Sequence, residues 1–125
     1  MKILFRADSS SLIGSGHLMR CLTLAQRYRK EGHSVAFVCR DLDGNLADLV
    51  NKQGFQLHLL LSAEQDDTLT GYDKWLTVTQ EQDAAETIEI LKKYGHIDRV
   101  VVDSYAIDEI WEKMVRPYIL DSRKT

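Results

Sequence analysis

His17 stands where a serine- and glycine-rich segment runs into an apolar, periodic stretch, a setting that suits proton transfer. The segment reads Arg6-Ala7-Asp8-Ser9-Ser10-Ser11-Leu12-Ile13-Gly14-Ser15-Gly16-His17. Gly14 and Gly16 let backbone N–H groups approach a ligand closely. A helix starting at Gly16 adds the partial positive charge of its N-terminus, which favours anions. The same dipole favours the neutral form of a nearby imidazole, and a neutral imidazole accepts a proton. His17 is therefore the candidate general base. The plain alternative, an exposed histidine with no task, leaves the two glycines unexplained.

The neighbouring polar residues carry two readings each. Asp8 orients His17 by accepting its other ring N–H, as a carboxylate does in a triad, or it caps its own loop. Arg6 and Arg20 flank the loop and suit a phosphate or a sugar substituent, or are ordinary surface charge. Asp103-Ser104-Tyr105 offers a carboxylate and a phenol to sugar hydroxyl or acetamido groups, while Asp103 or Ser104 also suits a helix cap. A dinucleotide cofactor is the weaker reading. Its fingerprint wants a third small residue where Met19 stands and a shorter turn, and only Asp41 imitates the ribose-binding acid. His33, His58 and His96 have no ligand spacing between them, so no metal and no cofactor is expected.

These residues need elements to position them. Lys2 to Arg6 is a short apolar run that reads as a buried strand, followed by a loop from Ala7 to Ser15. From Gly16, residues Leu18, Leu22, Ala25 and Tyr28 recur at helical spacing, closed by Gly32. A strand over Val35 to Cys39 follows, then a helix over Asn45 to Lys52 with Leu46, Leu49 and Val50 on one face, ended by Gly54. Phe55 to Leu60 is the third strand, and a turn is expected near Gly71 and Tyr72. Ala84, Ile88 and Leu91 mark a helix stopped at Gly95, and Arg99 to Val102 is the fourth strand. A last helix, Ile107 to about Val115, turns Ile110, Trp111 and Met114 to the core and ends near Pro117. Alternation of this kind implies an α/β fold, a Rossmann-like parallel sheet of about four strands flanked by helices, in the order 3-2-1-4. Ligands then belong at the carboxyl ends of the strands, where the loops after strands one, two and four converge.

Composition narrows the function classes. The 125 residues suit one domain, and 44% hydrophobic residues can build one core. A net charge of −3 gives no basic footprint for nucleic acid or an anionic membrane surface. Met1 to Ser10 lacks the apolar core of a secretory signal, and no segment reaches membrane-spanning length. Cys21 and Cys39 lie far apart in apolar segments and read as reduced core thiols of a cytoplasmic protein.

Arg6 to Ser10 together with Gly14 to Leu22 resembles the opening of the UDP-sugar hydrolases of pseudaminic acid biosynthesis. The resemblance continues through Phe37 to Arg40, Gly44 to Leu46, Asp83 to Thr87, and Val102 to Asp108 with Trp111-Glu112, and so spans nearly the whole chain. Proteins of this family, some described as spore-coat polysaccharide biosynthesis proteins, share the two-lobed GT-B architecture of metal-independent glycosyltransferases. The resemblance implies hydrolysis of a UDP-linked 2,4-diacetamido-2,4,6-trideoxy sugar to UDP and free sugar, with water in place of a glycosyl acceptor. It puts the catalytic histidine on His17 and the glycine loop on Gly14 and Gly16. Arg6, Asp8, Ser10, Ser15, Asp103 and Tyr105 fall among the substrate contacts; Ser104 departs from the histidine of many relatives. Residues 1–125 correspond to a single N-terminal lobe, and the UDP-binding lobe is expected in cis or as a separate chain. A glycosyltransferase lobe and a non-catalytic nucleotide- or partner-binding module are the competing readings.

Overall fold

The computed structural model describes residues 1–62, 73–104 and 106–119. Four strands form one all-parallel sheet: β1 (Lys2–Ala7), β2 (Ser34–Arg40), β3 (Gln56–Leu60) and β4 (Arg99–Asp103), ordered β3-β2-β1-β4. The helices are α1 (Gly16–Lys30), α2 (Asp48–Lys52), α3 (Asp73–Leu76), α4 (Gln80–Tyr94) and α5 (Glu109–Val115), followed by a 3-10 turn at Arg116–Tyr118. The expected order, parallel pairing and α/β class are those observed. The expected turn at Gly71 and Tyr72 lies outside the described residues.

Alternation along the strands separates two cores. Ile3, Phe5 and Ala7 of β1 and Phe37 and Cys39 of β2 face α1, meeting Leu18, Cys21, Leu22 and Ala25. Phe5 and Phe37 stack with centroids 4.9 Å apart, and Phe55 continues the row at 5.5 Å. Leu4, Ala36 and Val38 point to the other face, where Ala84, Ile90 and Leu91 of α4 and Trp111 and Val115 of α5 cover them. Both faces of β1 are thus covered, which is why its sequence is a continuous apolar run rather than an alternating one.

Helix ends follow local chemistry. The Thr79 side chain accepts the Gln82 N–H at the start of α4, and Gly95 ends the helix in the left-handed region, at φ 69°, which costs a residue without Cβ little. Asp108, rather than Asp103 or Ser104, caps α5 by accepting the Ile110 N–H. Two expectations shift. The helix expected from Asn45 begins at Asp48, because the Asn45 side chain donates to Asp41 and to the Leu42 carbonyl and accepts the Ala47 N–H, holding a turn. Ile110 is 47% exposed; the inward stripe of α5 is Trp111 and Val115, with Met114 at its margin.

Where the second core reaches the carboxyl edge it becomes ionic. Arg6 and Arg40, on the same face of neighbouring strands, have no solvent contact. Asp83 of α4, equally buried, accepts from both, through paired bonds to Arg6 and Arg40 Nη2 at 2.9 Å, and also takes the Trp111 indole N–H at 2.8 Å. Asp8 completes the group: its Oδ1 accepts from Arg6 Nη1 and from the Arg40 backbone N–H, each at 2.7 Å. Burial works against the charge on Arg6, yet the carboxylates of Asp8 and Asp83 outweigh it and raise its pKa. Burial likewise opposes ionisation of Asp83, but Arg6 and then Arg40 outweigh it and lower the pKa from 3.8 to about 2.

Asp83 therefore contributes fully to stability above its unfolded pKa near 3.8, and the contribution is lost as pH falls towards about 2. Asp83→Asn should destabilise the fold by about 3–5 kcal/mol, the cost of removing one partner of a buried charge group. Thermal melts between pH 5 and about pH 2 should show a steeper acid limb for the wild type than for the variant.

Candidate functional site

The register that pairs Ala7 with Asp103 brings the exits of β1 and β4 together, and α1 starts beside them. His17, in the first turn of α1, has its Nδ1 2.5 Å from Asp103 Oδ1, a contact between residues 86 apart in sequence. Arg20, one turn further along α1, donates through Nε to Asp103 Oδ2 and through Nη2 to Oδ1, both at 3.2 Å. Arg20 Nη2 is also 3.1 Å from His17 Nδ1. A guanidinium only donates, and one ring nitrogen cannot both accept from Arg20 and donate to Asp103. The shorter contact, to the carboxylate, is met by a proton on Nδ1 donated to Asp103. The His17 side chain is 13% exposed and that of Asp103 27%, whereas Arg20 is 64% exposed. Arg20 accordingly steadies the carboxylate and adds little stability.

A small solvent-open cleft lies here. Asp8, His17, Asp103 and Ser104 supply its polar lining; Ile13, Trp75, Leu76 and Ala106 supply its apolar lining. The carboxylate paired with His17 is that of Asp103, and Asp8, although it borders the cleft, is engaged by Arg6 and Arg40. Neither reading of Asp8 as a His17 partner or a local loop cap describes those bonds. Arg6 is fully buried beneath the loop and committed to Asp8 and Asp83, which removes it as a group presented to a ligand.

The loop between β1 and α1 is built by its own polar atoms. Ser10 Oγ accepts the N–H groups of Leu12 and Ile13, and Ser10 and Gly14 exchange backbone hydrogen bonds. Gly14 adopts φ 78°, which closes this turn. Ser15 precedes α1 without a side-chain cap bond, its carbonyl accepting the Met19 N–H. Gly16 would tolerate a Cβ, whose nearest neighbour is Arg20 Nη1 at 3.7 Å. The loop is also fixed to the one after β2: Ser9 Oγ accepts the Leu46 N–H, and Ser11 N–H donates to the Asp43 carbonyl. Ser104 Oγ accepts the Ala106 N–H. Tyr105 lies outside the described residues.

Both cysteines are buried free thiols, as expected. Burial above all pushes each thiol up to about 12, with Asp103 adding to the effect on Cys21 and Asp8 to that on Cys39. Burial thus disfavours the thiolate that a cysteine nucleophile needs.

Trp75 is the cleft residue that spacing did not reveal. It follows a stretch with no periodic pattern, and only the return of the chain to the carboxyl edge brings it to His17.

No protein-family model matches the chain. Over 57 residues, 46% of its length, the chain is 46% identical to the UDP-2,4-diacetamido-2,4,6-trideoxy-beta-L-altropyranose hydrolase of Campylobacter jejuni subsp. jejuni. That match spans 19% of the Campylobacter protein. The chain is thus similar, over this stretch, to part of a UDP-sugar hydrolase. No helix among the described residues is long and apolar enough to cross a membrane.

The two glycines separate turn geometry from ligand approach. Gly14→Ala should lower stability by about 1 kcal/mol, because φ 78° strains a residue with Cβ. Gly16→Ala should leave it unchanged or raise it slightly, since its space is open and alanine favours the helix. Urea unfolding of both variants measures the difference.

Proposed function

We propose that this chain forms the base-bearing side of a UDP-sugar hydrolase site, with His17 activating the attacking water. The observation that supports this reading is the bond between His17 Nδ1 and Asp103 Oδ1 at the ligand edge of the sheet. With Nδ1–H given to Asp103, Nε2 takes a proton from water as the water oxygen bonds to the anomeric carbon. The bond from that carbon to the UDP oxygen breaks in the same step through an oxocarbenium-like transition state, and UDP leaves with the electron pair. Asp103 steadies the imidazolium that forms, and Arg20 steadies Asp103.

Similarity to the Campylobacter hydrolase supports the substrate class: a UDP-linked 2,4-diacetamido-2,4,6-trideoxy sugar, released as free sugar for pseudaminic acid biosynthesis. Ser10, Gly14, Ser15, Gly16 and Tyr105 are assigned to the sugar side, with Asp8 as a cleft-floor carboxylate. Arg6 is assigned to holding Asp8. A second lobe of the GT-B pair, in cis or as a separate chain, supplies the contacts to uridine and diphosphate, where the leaving charge needs donors. The buried free thiols fit a reducing cytoplasm.

In a protein carrying this sequence with a uridine-binding lobe, His17→Asn should lower kcat for UDP release about 10²-fold to 10⁴-fold and change KM far less. Near-normal turnover in that variant would refute the role of His17. Sugar-nucleotide binding without any UDP release would favour a binding module instead. Residues 1–125 alone should melt cooperatively by circular dichroism and bind UDP weakly or not at all by calorimetry, because one side of a cleft encloses too little of the ligand.

A further inference from the structure

The apolar half of the cleft lining has no part in proton transfer, and its most prominent member is Trp75. The chain is held in place immediately after this residue. Leu76 and Val78 are buried, 1% and 4% exposed, and anchor the segment in the core under α4. Between them Thr77 adopts φ 67°, a left-handed conformation that a β-branched residue takes only at a cost in backbone energy. Ser62, just past β3, and Thr77 join through their hydroxyls at 3.2 Å, and Thr79 caps α4 immediately afterwards. Backbone strain of this kind persists where surrounding contacts over-determine it, often beside ligands. Here it accompanies an indole that is only partly buried and borders the same cleft as His17.

We propose that Trp75 is the specificity-determining wall of the sugar subsite, selecting glycosyl groups that carry methyl substituents, 6-deoxy and N-acetyl, over fully hydroxylated hexoses. The inference rests on the hydrolase reading for the presence of a sugar and extends it to what selects that sugar. Trp75, Ile13, Leu76 and Ala106 line the cleft with apolar groups that suit methyl substituents, whereas a hydroxyl placed against them loses water without gaining a hydrogen-bond partner. The polar lining at His17 and Asp103 remains for the anomeric centre and attacking water.

The chain contains two tryptophans, which makes a direct test available. Trp111 is buried and its indole N–H is bonded to Asp83, so it serves as an internal control. In nitrogen-15 spectra of a protein carrying this sequence with a uridine-binding lobe and saturated with UDP, a 2-acetamido-2,6-dideoxyhexose should shift the Trp75 indole signal and leave that of Trp111 in place. The parent hexose should bind about ten-fold more weakly, the loss expected for two unburied methyl groups. Followed through the His17 ring signals, Trp75→Ala should abolish that preference, and Trp75→Phe should keep most of it.

Equal binding of the two sugars, an unmoved Trp75 signal, or a preference that survives Trp75→Ala in a normally folded protein would overturn the proposal. Its failure is separable from that of the hydrolase reading. UDP release that depends on His17, with no effect of Trp75 replacement on sugar preference, sinks the Trp75 assignment alone. A Trp75 shift and methyl preference, in a protein whose lobe-completed form releases no UDP, sinks the hydrolase reading alone.

Discussion

Two arginines with no contact to water, side by side on the central strands, depend on one carboxylate from a helix above them. Without Asp83, Arg6 would keep only Asp8 and Arg40 only the longer contact to Glu86 at 3.4 Å, leaving two buried cations under-compensated at a penalty of several kcal/mol. Seated between both guanidinium groups, Asp83 ties α4 to β1 and β2. Trp111 joins through its indole N–H and draws α5 into the same arrangement. Asp8 extends it to the strand exits, binding Arg6 and the Arg40 backbone together at the point where both loops begin.

The site inherits its geometry from this arrangement. With Asp8 fixed, the serine-rich loop leaves β1 in a set direction and is stitched to the loop after β2 through Ser9 and Ser11. Its exit delivers His17 beside β4, where the pairing of Ala7 with Asp103 has already put a carboxylate. The imidazole is therefore oriented by groups from α1 and β4 rather than by its own loop. Arg20 reaches Asp103 from the next turn of α1, so helix, histidine and carboxylate form a single unit.

Much of the fold was legible because its signals are local. Continuous apolar runs marked β1 and β2, the 3.6-residue spacing of Leu18, Leu22 and Ala25 marked α1, and Gly95 marked the end of α4. The site was legible only in outline. His17 followed from its place after a glycine loop, but its partner did not: Asp8 is near in sequence and Asp103 is 86 residues away, and only strand register chooses between them. Arg6 misled for a related reason. In sequence an arginine beside a ligand loop looks like an anion-binding group, and its burial depends on Asp83, which spacing alone marks as a polar residue early in an amphipathic helix. Ile110 fits the helical stripe by spacing, yet a seven-residue helix on the margin of the core has room for a narrower one.

We propose that Asp103 holds His17 with its proton on Nδ1, which assigns the receipt of a proton from water to Nε2. Long-range proton–nitrogen correlation spectra of the imidazole distinguish the two tautomers directly. The neutral ring of His17 should show a protonated Nδ1 and an acceptor Nε2, and Asp103→Ala should abolish that preference while Arg20→Ala weakens it only slightly. A neutral His17 with its proton on Nε2 in the unaltered protein would contradict the account.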